Sequence, residues 1–159
     1  MKQIVFDSDA LIKLMRSGIL QQIKHKCVIS DSVYEETVTE GKKKLYPDAY
    51  QIETSVKEGK ISVKKILFQQ LPGLGKGESS TFALFKKLKA DVIASDDKKF
   101  IKLLEEQKIE YITSTAAITG LYLAKKINQK QAINALEKIK EFVSKTNYEK
   151  AQQTIGGKK

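Results

Sequence analysis

Short apolar runs alternate along this chain with stretches of helical spacing. Ile4-Val5-Phe6 runs straight into Asp7, and Leu11, Ile12 and Leu14 then follow a helical rhythm. A run of this kind reads as a buried strand, with Asp7 at its C-terminal end. Cys27-Val28-Ile29 is a second short strand ending at Ser30, and Ile61-Ser62-Val63 a third. Val92-Ile93-Ala94-Ser95 is the fourth, running into Asp96-Asp97, and Tyr111-Ile112 the fifth.

Helical patterns fill the intervals. Ser32-Val33-Tyr34-Glu35 fits a capping box, which predicts a helix through Val38 that stops near Gly41. Tyr46-Pro47-Asp48 opens another, with Pro early in the first turn, and Gly59 ends it. A helix from Glu78 carries Phe82, Ala83, Leu84 and Leu88, and one after Asp97 carries Phe100, Ile101, Leu103 and Leu104. Thr113-Ser114-Thr115 caps a helix bearing Ile118, Leu121 and Tyr122. A last helix from Gln129 to Thr146 places Ile133, Leu136, Ile139 (with Phe142) and Val143 on one stripe. Strand and helix alternate, which argues for an α/β chain with a parallel sheet covered on both sides. One domain is expected over residues 1–150, with a flexible basic tail over 151–159.

The topology gives the acids a common address. In a parallel sheet, acids that end strands emerge at one edge, and the helices that follow begin there too. Asp7 and Asp97 end strands, Glu36 lies one turn into a helix, and Glu78 starts the helix after a glycine loop. The four can therefore converge where open α/β sheets bind ligands. Each also has a structural use. Asp7 or Asp9 suits a helix N-cap, Glu35 belongs to the capping box, and Glu78 and Asp96 gain from a helix dipole. Glu36 is left without a capping role.

Composition narrows the chemistry. The chain has 159 residues, with one Cys (Cys27) and one His (His25). No intramolecular disulfide can form, and zinc sites of the usual composition are excluded. A metal would have to be held by carboxylates, which points to Mg²⁺ or Mn²⁺. Clustered carboxylates repel one another, and a bound cation is the usual reason for tolerating that. The formal net charge of +10 suits an anionic partner such as RNA, although Arg16 is the only arginine among 29 basic residues. Carboxylate-held Mg²⁺ beside such a surface suits hydrolysis of a phosphodiester. Lys98 and Lys102 lie four apart just after Asp97 and are candidates to hold phosphate. No apolar run approaches the roughly 20 residues that cross a bilayer. With no signal-peptide pattern at the start, a cytoplasmic location and no membrane partner are expected. Gly73, Gly75 and Gly77 match neither the dinucleotide fingerprint nor a P-loop, and read as a mobile loop before a helix.

The stretches Ile4-Val-Phe-Asp-Ser-Asp-Ala-Leu-Ile, Val33-Tyr-Glu-Glu-Thr-Val, Gly73-Leu-Gly-Lys-Gly-Glu-Ser-Ser-Thr-Phe-Ala-Leu and Val92-Ile-Ala-Ser-Asp-Asp-Lys-Lys-Phe resemble the PIN-domain family, in particular prokaryotic PIN-like proteins related to VapC-type toxins. Tyr46-Pro-Asp-Ala and Ile112-Thr-Ser-Thr resemble it too, so the likeness spans residues 2 to 125. The resemblance implies a three-layer α/β/α fold around a mostly parallel sheet, and a Mg²⁺- or Mn²⁺-dependent endoribonuclease. Asp7 matches the family's first-strand acid, Glu36 the early-helix acid, Glu78 the acid of the Gly-Glu pair and Asp97 the last acid. Asp96 is the neighbouring rival to Asp97 as a metal ligand beside Asp7 and Glu78. Ser8 and Ser95 are implied to hydrogen-bond the pocket, and Asp9 stands where the family often has Ser or Asn. RNA, an antitoxin protein and a second copy of the chain are the implied partners. The alternative is a non-catalytic PIN-like module that binds RNA or a protein.

Overall fold

The computed structural model describes residues 1–156. Five strands, β1 (Gln3–Phe6), β2 (Lys26–Ser30), β3 (Ile61–Lys64), β4 (Val92–Ala94) and β5 (Tyr111–Ile112), form one sheet in the order β3-β2-β1-β4-β5. Every pairing is parallel. The chain first builds outward from β1 through β2 to β3. It then returns to the other side of β1 and adds β4 and β5. The order therefore reverses between β1 and β4, and in such sheets the crevice at that switch point, at the C-terminal edge, is where ligands bind.

Period-two alternation on β1 supplies both layers. Ile4 and Phe6 join a core with Leu11 and Leu14 of α1 (Ser8–Ser17), Ile52 of α4 (Pro47–Lys57) and Ile118 of α7 (Ser114–Leu123). Val5 faces the other way, toward Leu84 of α5 (Lys76–Leu88). Ile93 of β4 packs there with Phe100 and Leu104 of α6 (Lys98–Glu106). The result is the three-layer α/β/α arrangement. Among the described residues no helix is long and apolar enough to cross a membrane.

Three local expectations are corrected. Ser30, not Ser32, caps α2 (Asp31–Tyr34), its Oγ accepting from the Val33 amide at 3.0 Å. The capping box with Glu35 is thus absent, and Glu35–Thr39 forms a π turn that leads into α3 (Glu40–Lys43). Gly41 does not end this helix, which continues to Lys43. A Cβ at Gly41 would stand 2.8 Å from Ala49 Cβ, so glycine here permits close approach of α3 and α4.

The single last helix is two. α8 (Gln129–Ile139) ends in a 3₁₀ turn, Lys140–Phe142, and Ser144 caps α9 (Lys145–Ile155). Phe142 is not on the core stripe but 47% exposed, with the Arg16 guanidinium 4.7 Å from its ring centroid. Arg16 also pairs with buried Asp48 at 2.9 Å. The expected tail from residue 151 begins inside α9, where Ala151 and Ile155 are buried. Its last residues, 157–159, lie outside the described residues.

This packing has a measurable consequence. Ile155 is 1% exposed, and replacing a buried Ile by Ala costs about 2–5 kcal/mol. Urea unfolding of Ile155→Ala should show that loss with an unchanged m-value; wild-type stability would mean that α9 contributes nothing to the core.

Candidate functional site

The crevice between β1 and β4 is built around Asp7. Its amide donates to the Ala94 carbonyl at 3.1 Å, continuing the ladder one residue past β1. Asp7 is then the N-cap of α1, with Oδ1 accepting from the Ala10 amide at 2.9 Å. Because the strand end is covered on both faces, the carboxyl is fully buried. Oδ2 has no hydrogen-bond partner in the described structure. Burial pushes the Asp7 pKa from 3.8 to about 7, against the pull of the Ser95 hydroxyl and the Ala10 amide. The charges of Glu78 and Asp9 add to the rise. An isolated buried carboxylate is among the most expensive groups to carry, so the proton is held to a much higher pH than on an exposed aspartate, and a bound cation would compete with it.

Glu36 reaches the crevice from the second helix. It sits in the π turn, where the Glu40 amide reaches back to the Glu35 carbonyl and shifts the helical register. Such turns are frequent at functional sites. Ser8 Oγ donates to Glu36 Oε1 at 2.5 Å, joining this turn to the residue after Asp7. The glycine loop closes on the same spot. A Cβ at Gly77 would stand 2.6 Å from Glu36 Oε1 and 3.2 Å from Ser8 Oγ, so any side chain there would displace the Glu36 carboxylate from its present position. Next to it, Glu78 Oε1 accepts from the Gly75 amide at 3.0 Å, which anchors the first turn of α5. The helix begins at Lys76, two residues before the expected start.

Asp96 and Asp97 have separate jobs. Asp96 accepts from the Ser114 amide at 2.8 Å and from the Ser114 hydroxyl at 2.6 Å, one bond to each oxygen. Lys13 Nζ lies 3.0 Å from its Oδ2 and 2.9 Å from Asp9 Oδ2. Burial works against the Lys13 charge, but Asp9 and Asp96 outweigh it and hold the ammonium above its ordinary pKa. Both Asp96 oxygens are thus engaged by the scaffold, through Ser114 and Lys13. Asp97 caps α6, with Oδ1 accepting from the Phe100 amide at 2.8 Å. Its own amide donates to Ser95 Oγ at 3.1 Å.

A common pattern emerges for the four matched acids. Asp7, Glu36, Glu78 and Asp97 each use one oxygen in an orienting hydrogen bond and keep the other without a partner among the described residues. Asp9 instead pairs with Lys13, and Lys98 and Lys102 are exposed on α6 just beyond Asp97. No three acids, histidines or cysteines among the described residues stand together as a ready cage. Mg²⁺ does not require one, since it is commonly held through one or two carboxylates and keeps several waters. Asp7, with its orphaned buried oxygen, and the adjacent charge of Glu78 fit that requirement.

Sequence reasoning missed Lys13 and Ser114. A lysine four residues after Asp9 reads as an ordinary helix pair, and nothing local says that it is buried. It also missed the buried polar face of α5, where Thr81 Oγ1 donates to the Gly77 carbonyl at 2.6 Å and Ser80 Oγ lies 2.7 Å from Ser30 Oγ. The run Ser79-Ser80-Thr81 on an otherwise amphipathic helix was the available signal.

The DUF3368 family, a PIN domain, matches residues 3–157. This chain belongs to the PIN-domain family. A PilT N-terminus domain protein from the hyperthermophilic archaeon Sulfolobus solfataricus P2 superposes with a TM-score of 0.53 at 17% identity, covering 79% of this chain and 94% of its own. A domain of a functionally unknown protein from Methanocaldococcus jannaschii DSM 2661 superposes with a TM-score of 0.50 at 14% identity, covering 71% and 91%. At these identities the likeness is one of fold. No curated protein matches the sequence. PIN domains are generally nucleases and typically use divalent metals, so this PIN fold is of nuclease type.

The burial of Asp7 fixes the sign of a pH effect. Its folded pKa of about 7 lies above the ordinary 3.8. Between these values the unfolded chain has lost the proton that the folded chain keeps. Stability from this group therefore falls as pH rises through that window, and is level again above it. Asp7→Asn should remove this component. Thermal unfolding of both proteins in EDTA from pH 4 to 8 checks it. The Tm difference, variant minus wild type, should grow with pH up to about 7 and then plateau.

Proposed function

We propose that this PIN domain is a Mg²⁺-dependent endoribonuclease whose pocket is formed by Asp7, Glu36, Glu78 and Asp97, of the kind found as VapC-like toxins. The observation that carries the reading is Asp7 Oδ2, a fully buried carboxylate oxygen without a hydrogen-bond partner at the switch point of the sheet. A fold retains such a group at a cost to stability, and a cationic ligand gives that cost a use. A bound Mg²⁺ would neutralise charge on the phosphate and lower the pKa of a water.

The chain's own residues supply the rest. Asp7 must release its proton before it can bind a cation, so loading is favoured as pH rises toward 7 and beyond. Ser8 orients Glu36, the Gly75 amide orients Glu78, and the Phe100 amide orients Asp97. Lys13 neutralises Asp9 and Asp96, which keeps the crevice from carrying all its acids uncompensated. Exposed Lys98 and Lys102 would meet the RNA backbone as point charges and carry little base information. A non-catalytic RNA- or protein-binding module is the competing reading. It draws on the absence of a ready three-acid cage among the described residues.

Incubating a mixed RNA pool with protein and Mg²⁺, or with EDTA, separates the two. Cleavage is expected only with metal, and Asp7→Asn, Glu78→Gln and Asp97→Asn should each abolish it. Acids that act as a unit give non-additive losses, so the triple variant should be little worse than the worst single. Glu36→Gln should lower activity, whereas Glu35→Gln should not. Full activity in Asp7→Asn would refute the assignment. Binding of single-stranded RNA in EDTA tests the lysines separately. Lys98→Gln with Lys102→Gln should weaken all sequences alike and reduce the salt slope by about 0.7 for each phosphate no longer neutralised. Superimposable salt plots would mean that RNA runs elsewhere.

A further inference from the structure

A cavity of about 450 Å³ lies on the opposite side of β1 from α5, and the nuclease reading makes no use of it. Its floor is the sheet, with Ile4 and Phe6 of β1, Ala94 of β4 and Ile112 of β5. Its wall is α7, which turns Ala117, Gly120 and Leu121 toward it. The space exists because this stretch of α7 is too small to fill it. A Cβ at Gly120 would meet nothing within 4 Å, in contrast to Gly41 and Gly77. The volume falls within the roughly 300–1,000 Å³ typical of small-molecule sites, which are concave and mainly apolar with a few polar groups.

The mouth has one sign of charge. Lys24, His25 and Lys126 line it, and no carboxylate does. Neither lysine has an ion-pair partner within 4.0 Å in the described structure, and both are exposed. His25 Nδ1 accepts from the Lys2 amide at 3.1 Å, which assigns its ring proton to Nε2 and leaves that nitrogen a donor. Glu110, on the approach to β5, is taken up by Lys2 at 3.8 Å. A mainly apolar cavity whose lining carries lysines and no carboxylate is complementary to a molecule with an apolar body and an anionic head.

We propose that this cavity is a binding site for a small amphipathic anion, an alkyl chain ending in a carboxylate or phosphate. The chain would lie over Ile4, Phe6 and Ile112 against α7, and the head would meet Lys24 and Lys126. Apolar burial supplies the affinity, and the two ammonium groups select the charge of the head.

Gly120 provides a test that does not depend on damaging the fold. Gly120 is exposed, so Leu has room there, removes a glycine from a helix interior and narrows the cavity it lines, and Gly120→Leu should raise Tm without ligand. Calorimetric titration with decanoate, decyl phosphate and decan-1-ol, each below its aggregation limit, measures binding. Wild type should bind at least one of the two anions saturably at one per chain, and that anion should raise Tm. Comparison of the two anions names the head group. Gly120→Leu should abolish binding while remaining folded by circular dichroism. Lys24→Gln with Lys126→Gln should weaken the anion by about tenfold, as expected for removal of a charged hydrogen bond, and leave decan-1-ol unchanged. Absence of saturable binding to both anions would overturn the proposal. So would equal affinity for decan-1-ol, or undiminished binding in Gly120→Leu. A wild-type dimer in sedimentation that Gly120→Leu converts to monomer would also overturn it, by naming a second copy of the chain as the occupant.

Discussion

Everything at the C-terminal edge of this sheet follows from putting a carboxyl where the fold is most buried. β1 is the central strand, so the residue that ends it is walled by neighbours on both sides and by helices on both faces. Asp7 occupies that position with one oxygen capping α1 and the other unmatched. An apolar residue there would relieve the desolvation but leave the first turn of α1 uncapped. A serine could cap the turn without bringing a charge. Aspartate does both jobs, and its second oxygen is a fully buried group in the crevice that no hydrogen bond among the described residues satisfies.

The surroundings limit the damage from further acids. Asp9 and Asp96 share one buried ammonium from Lys13, and Ser114 takes both oxygens of Asp96. Lys13 also ties α1 to the loop after β4, and Ser114 ties that loop to α7. The segment that carries Asp97 is held from both ends, by Ser114 through its neighbour and by its own cap on α6. Buried ion pairs are weak evidence for net stability. Their geometric effect is clearer, since they fix the path of a loop that has no regular structure of its own.

Much of this was legible in the residues. The five strands stand out as short apolar runs, and Pro47 and Thr113 mark helix starts by mechanisms that act within a few residues. Asp7 could be placed because a strand period and a helix period meet at it. What escaped depends on contacts distant in sequence. Nothing around Glu35 in the sequence announces a π turn, and the partner of Glu36 in it, Ser8, lies 28 residues away. The different surroundings of Asp96 and Asp97 depend on Ser114, 18 residues beyond Asp96. The break between α8 and α9 escaped because the apolar spacing through Phe142 and Val143 continues the helical stripe, although Phe142 lies at the surface beside Arg16. The mistaken box at Ser32 shows the limit of a local motif, since Ser30, two residues earlier, makes a plain N-cap with Val33 instead.

The strand order also sets a sequence of events in time. β1 finds its first partner, β2, after a short excursion through α1, whereas its other partner, β4, is separated from it by most of the domain. The tie between the Gln3 amide and the Asp91 carboxylate, 88 residues apart, measures that gap. Closing so long a loop is entropically slow, and such contacts come late in folding. A chain still being synthesised carries Asp7 from the outset but has only one wall of the crevice. Glu36 comes next, then Glu78, and Asp97 last of all. The acidic crevice is therefore complete only once β4 has paired with β1, and a chain that has formed only the β1–β2 pairing holds Asp7 without the rest of its site.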